Sequence, residues 1–214
     1  HPFRFSFSKW VAETRKQFGS LISKSETDLE IKLRPFVMER IIFELALKPG
    51  TGEYELLAGI VASGFDSIAE VFDKYQDLMH ELDQPSFLKA CKVMERTGNI
   101  LKGVKEQVNQ PVDAGLFQDP LEQTLMDLIR HEEGTVQKLI EERHFGSAVK
   151  RYGEVFYKPV HDFFDQVLVN HEDSKIRTNR QALVKKVNML CAAHIADLSL
   201  VQCREASSGG KIKN

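Results

Sequence analysis

Apolar side chains recur through most of the chain at steps of three or four residues, the spacing of a helix that buries one face. No stretch of the sequence shows the sustained alternation of apolar and polar residues that is typical of a half-buried strand. The pattern therefore predicts an all-α protein, folded as a helical bundle. The predicted helices cover residues 5–22, 29–47, 54–62, 68–82, 85–103, 120–142, 147–156, 159–169 and 174–203.

The same pattern divides the chain into three parts. We predict a linker or helix over residues 1–28, one helical domain over residues 29–204 and a disordered tail over residues 205–214. Serine, glycine and lysine predominate in that tail, which has too few apolar side chains to fold. Because the sequence does not begin with methionine, we expect it to be a piece of a longer protein.

The composition argues against several classes of protein. With 29 basic and 31 acidic residues in 214, the net charge is −2, whereas a protein that coats nucleic acid without specificity is usually strongly basic. Any nucleic-acid contact must therefore come from a local patch. The three cysteines lack CxxC spacing and indicate reduced thiols rather than a disulfide framework or a zinc site. No apolar run approaches the ~20 residues that span a bilayer, so we expect no membrane contact.

The helix predicted at residues 85–103 has two different faces when its residues are placed at intervals of about 100°. One face is polar and carries four residues that we call the basic strip: Lys89, Lys92, Arg96 and Asn99. A solvated charged face is the commoner explanation of such a strip. The alternative is a nucleic-acid contact, since lysine and arginine attract phosphate and asparagine can pair with a base edge. The opposite face is apolar and carries Ala90, Val93, Met94, Thr97, Ile100 and Leu101.

Two polar residues fall on the apolar side of the last predicted helix. Arg180 lies within the apolar stripe, so its guanidinium should point inward and need a partner. Asp162 and Asp165 on the preceding helix are the nearest carboxylates in sequence, and we predict a structural ion pair with one of them. A base contact is the alternative role of Arg180. His194 also falls on this side, where a histidine is more often a hydrogen-bonded core residue than a metal ligand.

The sequence shows no arrangement that predicts catalysis. It has no glycine-rich phosphate loop, no nucleophile elbow and no nucleophilic triad. Histidines stand beside acidic residues at residues 131–133, 161–162 and 171–173, without the i, i+4 spacing of a helical zinc pair. We therefore predict no catalytic residue and no metal site. Two other interpretations stay open, a helical protein-interaction module and a His-Asp metal hydrolase.

Two stretches of the chain resemble a known family. Residues 96–102 read RTGNILK, which resembles the Arg-x-x-Asn-Ile-Leu-Lys signature in the C-terminal domain of bacterial-type glycyl-tRNA synthetase beta subunits. Residues 159–169 read PVHDFFDQVLV and are followed by RTNR at 177–180 and ADLS at 196–199, which is similar to the ending of that family. These two motifs, in this order and at this separation, are a specific signal.

The resemblance covers residues 33–201 and includes departures from the family pattern. Residues 116–122 are similar to a helix start of the same family. His161 stands where the family usually has aspartate, and Gln181 replaces the usual leucine. These departures affect a turn contact and one helix position, and leave both motifs recognisable.

The resemblance implies a helical anticodon-binding domain of a type shared, more distantly, with arginyl-tRNA synthetases. It implies that the whole enzyme joins glycine to its tRNA with ATP and magnesium. That chemistry belongs to the alpha subunit or to the alpha portion of a fused chain, so we expect no cofactor in this fragment. The implied partners are glycine tRNA, the remainder of the beta subunit and the alpha subunit. The implied location is the cytoplasm, with a plastid as the alternative.

The helical projection and the resemblance together suggest candidate tRNA contacts. Glycine anticodons share cytosine at their second and third positions, and unpaired loop bases are read by stacking and by hydrogen bonds to their edges. The candidate tRNA contacts are the basic strip together with Lys102 and Arg177, which belong to the two motifs.

Overall fold

A computed structural model describes residues 6–102, 104 and 110–202. Within these residues the chain forms eight α-helices and no strand, which confirms the all-α class. The helices in chain order are α1 (Phe7–Phe18), α2 (Glu26–Glu44), α3 (Gly52–Ser63), α4 (Ile68–Met79), α5 (Pro85–Leu101), α6 (Pro120–Glu141), α7 (Phe145–Gln166) and α8 (Ser174–Ala192). Single 3₁₀ turns occur at Gly19–Leu21, Ala114–Leu116 and Leu198–Leu200.

The start of α6 shows how local sequence fixes a helix boundary. The Asp119 carboxylate accepts a hydrogen bond from the backbone N–H of Leu121 at 2.8 Å, and the Glu122 carboxylate accepts one from the backbone N–H of Asp119 at 2.8 Å. This reciprocal capping box satisfies N–H groups that a helix leaves without partners. Pro120 fits the first turn because it has no N–H to satisfy. The helix start predicted here is confirmed.

The core is centred on α5, which packs against α7, α8 and the last 3₁₀ turn. Phe87 and Met94 of α5, Tyr152 of α7 and Leu183 of α8 are buried almost completely. The Tyr152 hydroxyl donates to Met94 Sδ at 3.4 Å, so this deeply buried phenol keeps a partner. Burying a large apolar side chain contributes about 1.5–3 kcal/mol, so the set holds α5 firmly in place.

Gly153 of α7 allows the backbones of α5 and α7 to approach each other. A Cβ atom at this position would lie 2.2 Å from the carbonyl oxygen of Ser86 and 2.8 Å from the backbone nitrogen of Ala90. No side chain fits in that space, and neither obstructing atom belongs to a flexible side chain. The residue therefore sets the distance between the two helices that carry most of the candidate site.

Two predicted helix boundaries are wrong. Residues 147–156 and 159–169 were expected to be separate helices, but α7 is continuous and contains Pro159. The last helix was expected to reach residue 203, but α8 ends at Ala192. The chain then turns so that the backbone N–H of Asp197 donates to the Gly59 carbonyl at 2.8 Å, which attaches the end of the domain to α3.

The division of the chain at residues 28/29 and 204/205 stays a prediction, and the tail at residues 205–214 lies outside the described residues. In the described part, no helix is both long enough and apolar enough to cross a bilayer.

Candidate nucleic-acid interface

The basic strip lies along α5 on the side next to α7. The Lys89 ammonium is 6.0 Å from the centre of the Tyr157 ring, and the Arg96 guanidinium is 5.5 Å from the centre of the Phe164 ring. The two cations are seven residues apart in α5, and the two rings that they meet are seven residues apart in α7. Because residue numbers rise in the same direction along both rows, α5 and α7 run parallel. The two cations therefore stand in a row beside a row of aromatic rings, at distances where a cation attracts the face of a ring.

Arg96 makes the most specific contact in the strip. Its guanidinium nitrogen lies 3.0 Å from Asp165 Oδ1, while the arginine side chain keeps 35% of its surface exposed and the aspartate side chain 64%. An ion pair this exposed contributes at most about 1 kcal/mol. The contact orients Arg96 at the surface and leaves it accessible to a ligand.

One hydrogen bond joins the far end of the strip to the residue that follows α5. Asn99 Oδ1 accepts from Lys102 Nζ at 2.8 Å, and both side chains are exposed. The structure therefore brings Lys102 into the same surface as the basic strip. Lys92 lies in the same face of α5 and is half-buried.

Arg177 belongs to a different part of the surface. Its guanidinium donates to the backbone carbonyls of His171 at 2.6 Å and Glu172 at 3.1 Å. It thereby closes the loop between α7 and α8. Its role as a tRNA contact stays a prediction, as does that of the basic strip.

The structure corrects the predicted ion pair of Arg180. Arg180 is buried, as expected, but its partner is Glu122 of α6 rather than Asp162 or Asp165. Its Nε lies 3.0 Å from Glu122 Oε1 and its second terminal nitrogen 3.3 Å from Oε2. The two aspartates lie on the outer side of α7, where Asp162 pairs with Lys158 and Asp165 with Arg96.

Glu122 stays ionised in this buried position. Burial alone would raise the pKa of its carboxyl. Hydrogen bonds from Arg180 and from the backbone N–H groups of Gln118 and Asp119 outweigh burial and hold the pKa below its ordinary value. The carboxylate therefore joins α8, the start of α6 and the connector before it.

Arg180 and its neighbour also fix the loops at the end of the bundle. The remaining terminal nitrogen of Arg180 donates to the Leu168 carbonyl at 2.9 Å. Asn179 accepts from the backbone N–H of Asp113 at 2.8 Å and donates to its carbonyl at 2.9 Å. Asn179 was not recognised as a structural residue from the sequence, although it belongs to the RTNR motif, because helical spacing does not identify a partner 66 residues away.

The prediction that His194 faces the core is wrong. Because α8 ends at Ala192, residue 194 does not continue the helical stripe, and its side chain is exposed. The two rings at residues 163 and 164 differ in burial. Phe163 is fully buried, and Phe164 is partly buried and meets it edge to face.

The histidine and carboxylate pairs form no cluster of three or more metal-ligating side chains among the described residues. Glu132 illustrates the reason. Its buried carboxylate is held by Arg151 through two hydrogen bonds of 2.7 Å, which lower its pKa. Both of its oxygens thus accept from an arginine, and the ring of the neighbouring His131 is farther away, with Nε2 3.8 Å from Oε1.

A cavity of about 350 Å³ opens where α5 and α7 end. We call it the helix-end cavity. Helical periodicity does not predict this cavity, because residues 167–170 of its lining follow α7 and belong to no helix. The lining residues are Ile100, Phe164, Asp165, Gln166, Val167, Leu168, Val169 and Asn170.

The family described as "DALR anticodon binding domain" matches residues 86–195, just over half of the chain. The chain is also similar to proteins named "Glycine--tRNA ligase beta subunit". It is 30% identical over 189 residues to that of Desulforamulus reducens, covering 88% of this chain and 25% of the relative. It is 31% identical over 154 residues to that of Pseudomonas fluorescens, covering 72% of this chain and 20% of the relative. It is 32% identical over 136 residues to that of Geotalea daltonii, covering 64% of this chain and 19% of the relative.

The chain spans only a fifth to a quarter of the length of these relatives. The family match begins in the first turn of α5 and ends three residues beyond α8, so it coincides with the four helices that build the strip, the buried Arg180–Glu122 pair and the helix-end cavity. The chain belongs to the DALR anticodon binding domain family.

Proposed function

We propose that this chain is the tRNA-binding, anticodon-recognising domain of a glycine–tRNA ligase β subunit. One observation carries the proposal. The family match spans α5 to α8, and the basic strip lies within it, on the polar face of α5 that adjoins α7. The names of the relatives support glycine tRNA as the RNA that is bound.

The chemistry of the strip is suited to an RNA loop. Lysine ammonium groups attract phosphates without regard to sequence, whereas arginine and asparagine can also form paired hydrogen bonds with a base edge. The rings of Tyr157 and Phe164 next to the strip are partly buried and could stack on unpaired bases. A local basic patch of this kind is compatible with a net charge of −2 for the whole chain.

We infer that the whole enzyme joins glycine to tRNA with ATP and magnesium, and that this chemistry takes place in the α subunit or in the α portion of a fused chain. A cytoplasmic location fits the bacterial relatives. The remainder of the β subunit would cover the surface of α1 and α2, where most of the exposed large apolar side chains of the described residues occur. They are Trp10, Phe18, Leu21, Ile31, Phe36 and Phe43.

A titration of fluorescent glycine tRNA with the chain, repeated over a series of salt concentrations, tests the proposal. The test variant replaces all four residues of the basic strip with alanine. The control replaces two lysines with alanine: Lys186, which lines the groove between α6 and α8, and Lys138, which is exposed on α6. We expect the control to bind like the parent. The test variant should bind more weakly, and its salt dependence should flatten by somewhat under one unit of slope for each phosphate that it no longer binds.

If the parent and a correctly folded test variant bound tRNA equally well, the basic strip would not be part of the tRNA-binding surface. No tRNA binding by the parent would favour the protein-interaction module. Stoichiometric metal in the purified chain would favour the hydrolase.

A further inference from the structure

We propose that the helix-end cavity binds one unpaired nucleobase whose pairing edge carries an exocyclic amino group beside an unprotonated ring nitrogen, as those of cytosine and adenine do. The proposal rests on the proposed function and goes further, because it places a base-specific contact in a cavity that the basic strip does not form.

The apolar wall of the cavity provides a surface for the faces of a base. Ile100 and Phe164 line it, and Leu168 stands at its edge with 65% of its surface exposed. Folding accounts poorly for a leucine this exposed, because it buries little of its own surface. Bases stack on such apolar and aromatic groups whatever their identity. This wall therefore contributes affinity, and selectivity must come from polar atoms.

The carboxyl end of α7 lines the cavity and supplies hydrogen-bond acceptors. The carbonyl of Phe163 is used by the backbone N–H of Val167, and carbonyls in the last turn of a helix beyond that point have no partner within the helix. The Asp165 carboxylate adds to them, with Oδ1 engaged by Arg96 and the side chain mostly exposed. An amino group of cytosine or adenine can donate to these oxygens, whereas the O4 carbonyl of uracil would face them as a second acceptor.

One donor stands close to these acceptors. Asn170 Oδ1 accepts from Gln181 Nε2 at 3.0 Å, which leaves the amide nitrogen of Asn170 to donate. Cytosine and adenine present an acceptor ring nitrogen beside the amino group. Their ring nitrogen could therefore accept from the Asn170 amide while their amino group donates to the nearby oxygens. Uracil presents an N–H at that position and would meet the asparagine donor with its own.

Charge separates this cavity from the phosphate-binding surface. The carboxyl end of α7 carries the negative end of the helix dipole, and Asp165 adds a formal negative charge. A phosphate would be repelled there, while the basic strip on the parallel helix α5 attracts it. The two surfaces meet at Arg96, which pairs with Asp165. An RNA strand lying along the strip would thus bring a base, rather than a phosphate, to the cavity.

The cavity is formed before any ligand binds. The buried Arg180 donates to the Leu168 carbonyl, and its own position is fixed by Glu122. The loop that carries Leu168 therefore needs no reordering, which lowers the entropic cost of binding.

The test uses RNA hairpins whose loops contain only cytosine, only adenine or only uracil, with binding followed by fluorescence anisotropy. We expect the parent to bind the cytosine and adenine loops roughly tenfold more tightly than the uracil loop, a ratio that corresponds to about 1.4 kcal/mol and is typical of a matched base edge. Leu168→Ala should weaken all three by roughly fivefold, because the base has less apolar surface on which to stack. Asp165→Asn should reduce the preference over uracil. The matched control is Met189→Ala, an exposed apolar side chain in the groove between α6 and α8.

Hairpin binding that is equal for the three loops, or unchanged by Leu168→Ala while the basic-strip variant is weakened, would overturn the cavity proposal and leave the proposed function standing. No binding of any hairpin or of glycine tRNA by the parent would overturn the proposed function, and the cavity proposal with it.

Discussion

Replacing Arg180 with alanine should destabilise the fold more than any surface change in this domain. Glu122 would be left buried, with no exposed side-chain surface and without its opposite charge. The substitution removes two hydrogen bonds to Glu122 and one to the Leu168 carbonyl. Breaking a buried ion pair from one side typically costs about 3–5 kcal/mol, because the remaining charge is uncompensated.

The structure places the expected loss near the lower end of that range. Glu122 would keep two hydrogen bonds of 2.8 Å from the backbone N–H groups of Gln118 and Asp119, which continue to stabilise the carboxylate. We therefore expect the free energy of unfolding to fall by about 3 kcal/mol. In a chain of this length that corresponds to a midpoint lowered by about 6–12 °C.

The assay is thermal and urea unfolding of the parent and the variant, followed by circular dichroism. Arg96→Ala is the control, since it removes an arginine from an exposed ion pair and should cost no more than about 1 kcal/mol. A double variant that also carries Glu122→Ala should lose less free energy of unfolding than the sum of the losses of the two single variants, because it no longer contains a buried carboxylate without its opposite charge. The reasoning would be refuted if Arg180→Ala melted like the parent while its affinity for tRNA collapsed, since Arg180 would then be a contact residue.

Three further predictions concern packing, pH and catalysis. Gly153→Ala should lower the melting temperature, because the new methyl group would overlap the Ser86 carbonyl and force α5 and α7 apart, at a cost of about 1–3 kcal/mol or more. The control is Gly134→Ala, which has open space around the new methyl group and should raise the melting temperature slightly. Folding lowers the pKa of Glu122. Its ionised carboxylate therefore contributes fully to the free energy of unfolding above the ordinary pKa of 4.5, and this contribution is lost as the pH falls through the lower pKa of the folded state. Acid unfolding curves should therefore show a shallower decline for Glu122→Gln, and an unchanged decline would contradict the assignment. The chain alone should give no glycine-dependent ATP–pyrophosphate exchange, and exchange above a heat-treated control would show that it holds catalytic groups.

The helices could be predicted from the sequence where local signals agree. The start of α6 is an example, since an aspartate, a proline and a glutamate in the right order specify a capping box. The break predicted near Pro159 did not occur. A proline inside a helix removes one hydrogen bond and costs about 3 kcal/mol, which argues for a boundary when only local signals are considered. The nine buried residues of α7 stabilise the continuous helix by more than that.

The candidate site could be predicted only in part. The polar face of α5 follows from helical spacing, and the basic strip does lie on one face, with Asn99 exposed and its other three residues half-buried. The role of the strip as a tRNA contact stays a prediction. The burial of Arg180 also follows from spacing, but its partner does not. The pair with Glu122 joins residues 58 apart in sequence, and the nearer carboxylates lie on the outer side of α7. The helix-end cavity depends on where two helices stop and how a loop crosses between them, which no periodicity describes.

The central claim is that this chain recognises the anticodon of glycine tRNA. The most direct measurement compares its affinity for glycine tRNA with its affinity for the same tRNA carrying changed middle and third anticodon bases, at one salt concentration. We expect each change to weaken binding by roughly tenfold, in line with about 1–3 kcal/mol for each wrongly matched base. Equal affinity for all these tRNAs would contradict anticodon recognition by this domain.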